Sequence, residues 1–172
     1  FGFHLAELDI RQNSVFHEKA IGQLMTTADL DGNHYLKGDF ASRTKFIQSE
    51  LKTLRPFTGG NDLTGEEAKA VIEVYKVLED FIDNYGSRGL GSLIVSMTRH
   101  VSDLLAVYVL AREAGLLVKE QEGVVCKLPV VPLFETIDDL VAGPQILDEF
   151  LSHPITKNTL AYQKRLREDE YL

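Results

Sequence analysis

Three short apolar runs, each followed by a polar residue and then by a helical period, recur along this 172-residue chain, and no other feature limits its fold as much. The first, Phe3 to Ile10, alternates in its second half and ends at Arg11. The second is Leu93-Ile94-Val95-Ser96-Met97. The third lies within Val124 to Phe134, is kept short by Pro129 and Pro132, and ends near Glu135. Strands alternating with helices predict a parallel α/β arrangement. Near-continuous apolar strands predict helices over both faces of a sheet, or a barrel with helices around it. Three parallel strands leave two bare edges, and a closed (β/α)8 barrel takes about 250 residues. The pattern admits either a small open sheet or part of a barrel.

Between the strands, Ser14 is placed to cap a helix running to about Thr27, after which Asp31-Gly32 turns the chain. Phe40, Phe46, Ile47, Leu51 and Leu54 suggest a second helix, stopped by Pro56 and the Thr58-Gly59-Gly60-Asn61 loop. Thr64 and Glu67 have capping-box spacing. Behind them Val71, Val74, Tyr75, Leu78 and Ile82 form a helical stripe that Phe81 and Tyr85 extend, and the Gly86 to Gly91 loop ends it. Ser102 is expected to cap a helix from Asp103 to Ala114, and the Leu104 to Leu110 run predicts burial on nearly all sides. A turn is expected over Lys119 to Gly123. Asp138 and Asp139 suit the start of the next helix, where the dipole favours negative charge. Pro144 is expected to begin a further helix carrying Ile146, Leu147, Phe150 and Leu151.

Composition removes several function classes. Eighteen basic against 26 acidic residues give a net charge of −8, and no basic stripe offsets it, which argues against a nucleic-acid partner. The longest apolar stretch, Leu104 to Ala111, is far short of the roughly 20 residues of a membrane span. A single cysteine, Cys126, excludes an internal disulfide and a CxxC site, fits a cytoplasmic compartment, and reads as an inert thiol inside an apolar strand. The five histidines show neither HxH nor HExxH spacing. The Asp29-Leu30-Asp31-Gly32-Asn33 stretch fails as a calcium loop, with His34 where glycine and Phe40 where the bidentate glutamate belong.

Arg11 and Glu135 remain, each expected at the carboxyl end of a strand, the edge where parallel α/β folds bind ligands. An arginine there can fork onto a phosphate or carboxylate, and a carboxylate there can hold a hard cation such as Mg²⁺. The plainer alternative is that each pairs with a neighbouring charge.

The wording of these segments goes further. Phe1-Gly2-Phe3 leading into Leu8-Asp9-Ile10-Arg11-Gln12-Asn13-Ser14 and His17 resembles a block of the bacterial and plant-type phosphoenolpyruvate carboxylase family. Leu54-Arg55-Pro56 resembles a second block, with Phe57 in place of leucine. Ile94-Val95-Ser96-Met97-Thr98 with Ser102-Asp103-Leu104-Leu105-Ala106-Val107 resembles a third, and Val130 to Leu140 (VVPLFETIDDL) a fourth. The resemblance implies a partial (β/α)8 TIM-type barrel, helix-rich, with residues 1–172 as one incomplete segment of the barrel domain. It implies an enzyme joining phosphoenolpyruvate and bicarbonate into oxaloacetate and phosphate with Mg²⁺ or Mn²⁺, in a cytoplasmic, tetrameric parent.

By the same resemblance Arg11 binds the substrate phosphate, Leu133 lines an apolar pocket for carbon dioxide, and Glu135 is a metal ligand. The family's catalytic histidine falls before Phe1, and its second metal-binding aspartate follows Leu172. No catalytic residue is therefore expected among these 172, and the chain alone is expected to be inert. Bare strand edges would favour self-association of such a piece. The alternative is a non-catalytic binding or interaction module that keeps part of the scaffold.

Overall fold

The computed structural model describes residues 6–58 and 63–169. The start of the first apolar run (Phe3 to Leu5), the Gly59-Gly60-Asn61 loop and the Tyr171-Leu172 end lie outside the described residues. The chain runs through β1 (Leu8–Asn13), α1 (Ser14–Thr27), α2 (Gly32–Lys37), α3 (Phe40–Glu50) and α4 (Glu66–Tyr85). It continues as β2 (Leu90–Ser96), α5 (Val101–Glu113), β3 (Leu117–Glu120), β4 (Gly123–Cys126), β5 (Val130–Pro132), α6 (Ile137–Ser152) and α7 (Pro154–Asp169).

Strands β1, β2 and β5 form a parallel sheet in that order, with Asn13 beside Ser96 and Ile94 beside Val131. The expected parallel strands with interposed helices are present, but the partial barrel is not. The sheet is open, with β1 and β5 each paired on one side only, and no described sheet closes into a barrel. Closure requires every strand to be hydrogen-bonded on both sides. The expected third strand also divides. Its first part, β4, pairs antiparallel with β3 across the turn at Gln121-Glu122, and only β5 joins the parallel sheet. Pro129 lies between the two, where no ladder donor is required of it.

Three helix starts differ from expectation, each for a local reason. Asn13, not Ser14, caps α1 by accepting from the Val15 amide at 2.8 Å. Ser14 is the first helical residue, and its hydroxyl donates to the Met97 carbonyl at 2.7 Å. His100, not Ser102, caps α5 through Nδ1, which accepts from the Ser102 amide at 3.3 Å. Helix α4 has Gly65 at its N-cap position and no side-chain cap, because Glu67 turns to Gln23 and Lys19 of α1 and Thr64 to Thr27. A Cβ at Gly65, whose φ is +102°, would sit 2.2 Å from the Gln23 side chain, so glycine is required there. Pro144 lies inside α6 instead of opening a helix.

Helix α5 is the centre of the molecule. All of its residues are buried, and it packs against α1, α3, α4 and α6. Helix α7 lies on the β3–β4 hairpin, where Thr159 Oγ1 accepts from the Cys126 amide at 2.9 Å. Cys126 is buried as expected, and burial pushes its thiol up to about 12, out of reach of thiolate chemistry.

His17, 2% exposed, packs edge-on to Tyr75 of α4, and its Nδ1 has no hydrogen-bond partner among the described residues. Burial pushes its pKa from 6.5 down to about 4, so the native protein keeps the ring neutral while the unfolded chain protonates it. This contribution to stability is complete above the unfolded pKa and fades as pH falls toward the folded one. Urea denaturation should show His17 removing about 2 kcal/mol between pH 7 and pH 5. A His17→Gln variant should show a shallower pH dependence over that range; an unchanged slope would contradict the assignment.

Candidate functional site

The carboxyl ends of the three parallel strands bring together residues that are far apart in sequence. Arg11 lies two residues before the end of β1, slightly earlier than expected. Leu133 directly follows β5, half-buried, with its amide on the Val95 carbonyl at 2.9 Å. Glu135 sits in the connection between β5 and α6. That connection is fixed by a capping box at the start of α6. The Asp139 amide donates to Thr136 Oγ1 at 3.1 Å, and Asp139 Oδ2 accepts from the amides of Thr136 at 3.0 Å and Glu135 at 3.4 Å. The Thr136 hydroxyl, with those amides, holds the Asp139 carboxyl below the usual carboxylate range against the effect of burial.

Arg11 Nη2 donates to Glu135 Oε1 at 2.8 Å, across 124 positions of sequence. The other carboxylate oxygen, Oε2, accepts from the Met97 amide at 2.9 Å, just beyond β2. The two candidates thus meet each other, and each pairs with a charge, as the plainer alternative expected. With side chains 56% and 32% exposed, this pair contributes at most about 1 kcal/mol to stability. It is open to exchange, because Arg11 carries a planar guanidinium with several donors that an incoming anion can engage.

A second layer supports this edge. Arg99, in the loop after β2, donates to both carboxylate oxygens of Asp103, at 3.3 Å and 3.1 Å, and to Glu18 of α1 at 3.2 Å. Glu18 is also ion-paired with Arg43 of α3. Both guanidinium groups lie over the Phe40 ring, at 4.9 Å and 5.3 Å, and His100 stacks on it at 5.0 Å. Sequence reasoning missed the contacts of Met97 and Ser14 at this edge, and this cluster. The spacing of Arg99 and Asp103 by four residues could have found part of it.

The donor set does not amount to a divalent-cation site. Among the described residues no three His, Cys, Asp or Glu side chains are grouped to hold a metal, and both oxygens of Glu135 already carry donors. Mg²⁺ requires near-octahedral oxygen coordination, toward which Glu135 offers one carboxylate.

Comparison with known proteins adds a family. Residues 1–168 match the family model described as phosphoenolpyruvate carboxylase. The phosphoenolpyruvate carboxylase of Rhodopseudomonas palustris (strain ATCC BAA-98 / CGA009) is 41% identical over 154 residues, covering 90% of this chain and 16% of the relative. That of Aromatoleum aromaticum is 36% identical over 161 residues, 94% of this chain and 17% of the relative. That of Rhodothermus marinus is 37% identical over 168 residues, with 94% and 18% covered. The chain spans less than a fifth of the length of these relatives.

The geometry separates what holds the loop from what faces a ligand. Thr136→Ala, which removes the cap, should lower unfolding free energy by about 1 kcal/mol. Glu135→Ala, which opens an exposed pair, should lower it by less than about 1 kcal/mol. Urea denaturation of both variants checks the order, and a larger loss for Glu135 would contradict it.

Proposed function

Because the chain belongs to the phosphoenolpyruvate carboxylase family, we propose that it is the segment of such an enzyme that receives the phosphate end of phosphoenolpyruvate. The reaction joins that substrate to bicarbonate, giving oxaloacetate and inorganic phosphate. The observation that carries this reading is the meeting of Arg11 and Glu135 at the strand ends, across most of the chain.

Each residue has a role that follows from its chemistry. Arg11 exchanges Glu135 for the substrate phosphate, whose oxygens match the guanidinium fork. A guanidinium at that position also offsets the negative charge of the anionic intermediates. Leu133 supplies apolar wall beside it, which favours neutral carbon dioxide over water and protects an enolate from protonation. Glu135, once released from Arg11, is one oxygen ligand for Mg²⁺ or Mn²⁺, the other ligands coming from outside these 172 residues. The segment works as one part of a larger domain in a cytoplasmic homo-oligomer. No described helix is long and apolar enough to cross a membrane.

An oxaloacetate-coupled assay with Mg²⁺ and bicarbonate should detect no turnover by the 172-residue chain, and calorimetric titration with Mg²⁺ should detect no stoichiometric binding. In the full-length enzyme, Arg11→Gln should lower kcat/KM for phosphoenolpyruvate by about 10- to 100-fold, the value of one or two charge-assisted hydrogen bonds. Wild-type kcat/KM in that variant would overturn the assignment of Arg11.

A further inference from the structure

The central strand of the sheet breaks step one residue past its end, at Met97. Along β2, the Leu93 amide takes the Pro129 carbonyl at 2.8 Å, and the Val95 carbonyl takes the Leu133 amide at 2.9 Å. Every second residue faces β5, so regular alternation would give the Leu133 carbonyl to the Met97 amide. Instead the Thr98 amide bonds that carbonyl, at 3.3 Å, and Met97 is left as an extra residue. Its φ of 55° is left-handed, a region that non-glycine residues rarely enter and that methionine has no side-chain polar group to favour. The two peptide groups flanking Met97 are both used. Its amide donates to Glu135 Oε2 at 2.9 Å, and its carbonyl accepts from the Ser14 hydroxyl at 2.7 Å, Ser14 being 1% exposed. One residue therefore ties the start of α1 and the β5–α6 connection to the end of β2.

We propose that Met97 is a positioning residue, whose left-handed backbone diverts one amide from the sheet ladder to hold the Glu135 carboxylate opposite Arg11. This deepens the reading of Arg11 and Glu135 as the substrate-handling pair and rests on it. What matters at position 97 is the backbone conformation, so glycine should preserve the function and a β-branched residue should destroy it. Ser14 secures the same peptide from the other side, and its buried hydroxyl keeps the Met97 carbonyl turned toward α1.

The test follows the residue-97 amide by ¹⁵N–¹H NMR at constant pH. An amide hydrogen-bonded to a carboxylate resonates downfield of one left to solvent and exchanges more slowly. Glu135→Ala should move the wild-type resonance upfield and speed its exchange. In Met97→Gly the same Glu135→Ala change should move the residue-97 amide in the same direction, and in Met97→Val it should not. Should the valine variant not fold, wild type against Glu135→Ala decides the contact, and Met97→Gly with and without Glu135→Ala decides the backbone requirement. A residue-97 amide indifferent to Glu135, in wild type or in the glycine variant, overturns the proposal. In the full-length enzyme, Met97→Val should lower kcat/KM by about 10²-fold, the effect of an ångström of misplacement, while Met97→Gly stays within about twofold of wild type. Glycine and valine variants of equal activity would also overturn it. The NMR readout involves neither substrate nor turnover, so its failure strikes the positioning role alone. Loss of phosphoenolpyruvate dependence on Arg11 strikes the functional reading alone.

Discussion

Helix α5 has no solvent face, so each polar group it carries needs a partner inside the protein. Asp103, in its first turn, takes Arg99, and through it Glu18 and α1. Glu113, at its last turn, accepts from the Phe57 amide at 2.7 Å and the Thr58 amide at 3.1 Å, pinning the segment after α3. Arg112 beside it donates to the Glu50 carbonyl at 2.8 Å and lies over the Phe57 ring. In the middle, the Tyr108 hydroxyl reaches Thr156 of α7 at 3.0 Å while its ring stacks on Phe150 of α6. The apolar surface of the helix makes the core, and its charged ends decide which loops may approach. Removing one partner of such a buried pair generally costs about 3–5 kcal/mol, far more than breaking an exposed pair.

That division explains why the two ends of the helix differ in character. The Arg112–Glu113 end is closed, with both side chains almost fully buried, Glu113 accepting from backbone amides and Arg112 donating to the Glu50 carbonyl and carboxylate. The other end adjoins the carboxyl edge of the sheet, where the Arg11–Glu135 pair stands exposed. A chain with a net charge of −8 repels anions over most of its surface, so an anionic ligand depends on local cations. Arg43 and Arg99 are held by Glu18 and Asp103, which leaves Arg11, paired only with an exposed carboxylate, the more available of the three.

The parallel strands, the buried helix and the inert thiol were readable because each is a pattern of apolar residues in the chain. The closed or open state of the sheet was not, since it depends on which strands pair and not on what any strand contains. Helix caps were misassigned by one or two residues wherever a second polar residue stood nearby, as with Asn13 before Ser14 and His100 before Ser102. The periodicity of α7 was overlooked because most of its surface is polar and its contacts are with the hairpin. Arg11 and Glu135 could be chosen from their places after apolar runs, but their contact could not. The part played by Met97 left no trace, because nothing in a methionine side chain favours a left-handed backbone, and its partners Ser14 and Glu135 lie far away in sequence.

The pairing of β1 with β2 also shapes how the chain reaches its native state. Ser14 and Met97 are 83 positions apart, and α1, α2, α3 and α4 lie between the two strands. Parallel pairing over such a span yields no hydrogen bonds until the intervening loop has lost its entropy, whereas each helix can gain from neighbours only a few residues away. Helices that fold against one another shorten that loop and lower the entropic cost of docking β1. Loop entropy therefore favours a route in which the strand ends, and with them the contact between Arg11 and Glu135, follow the core that supports them.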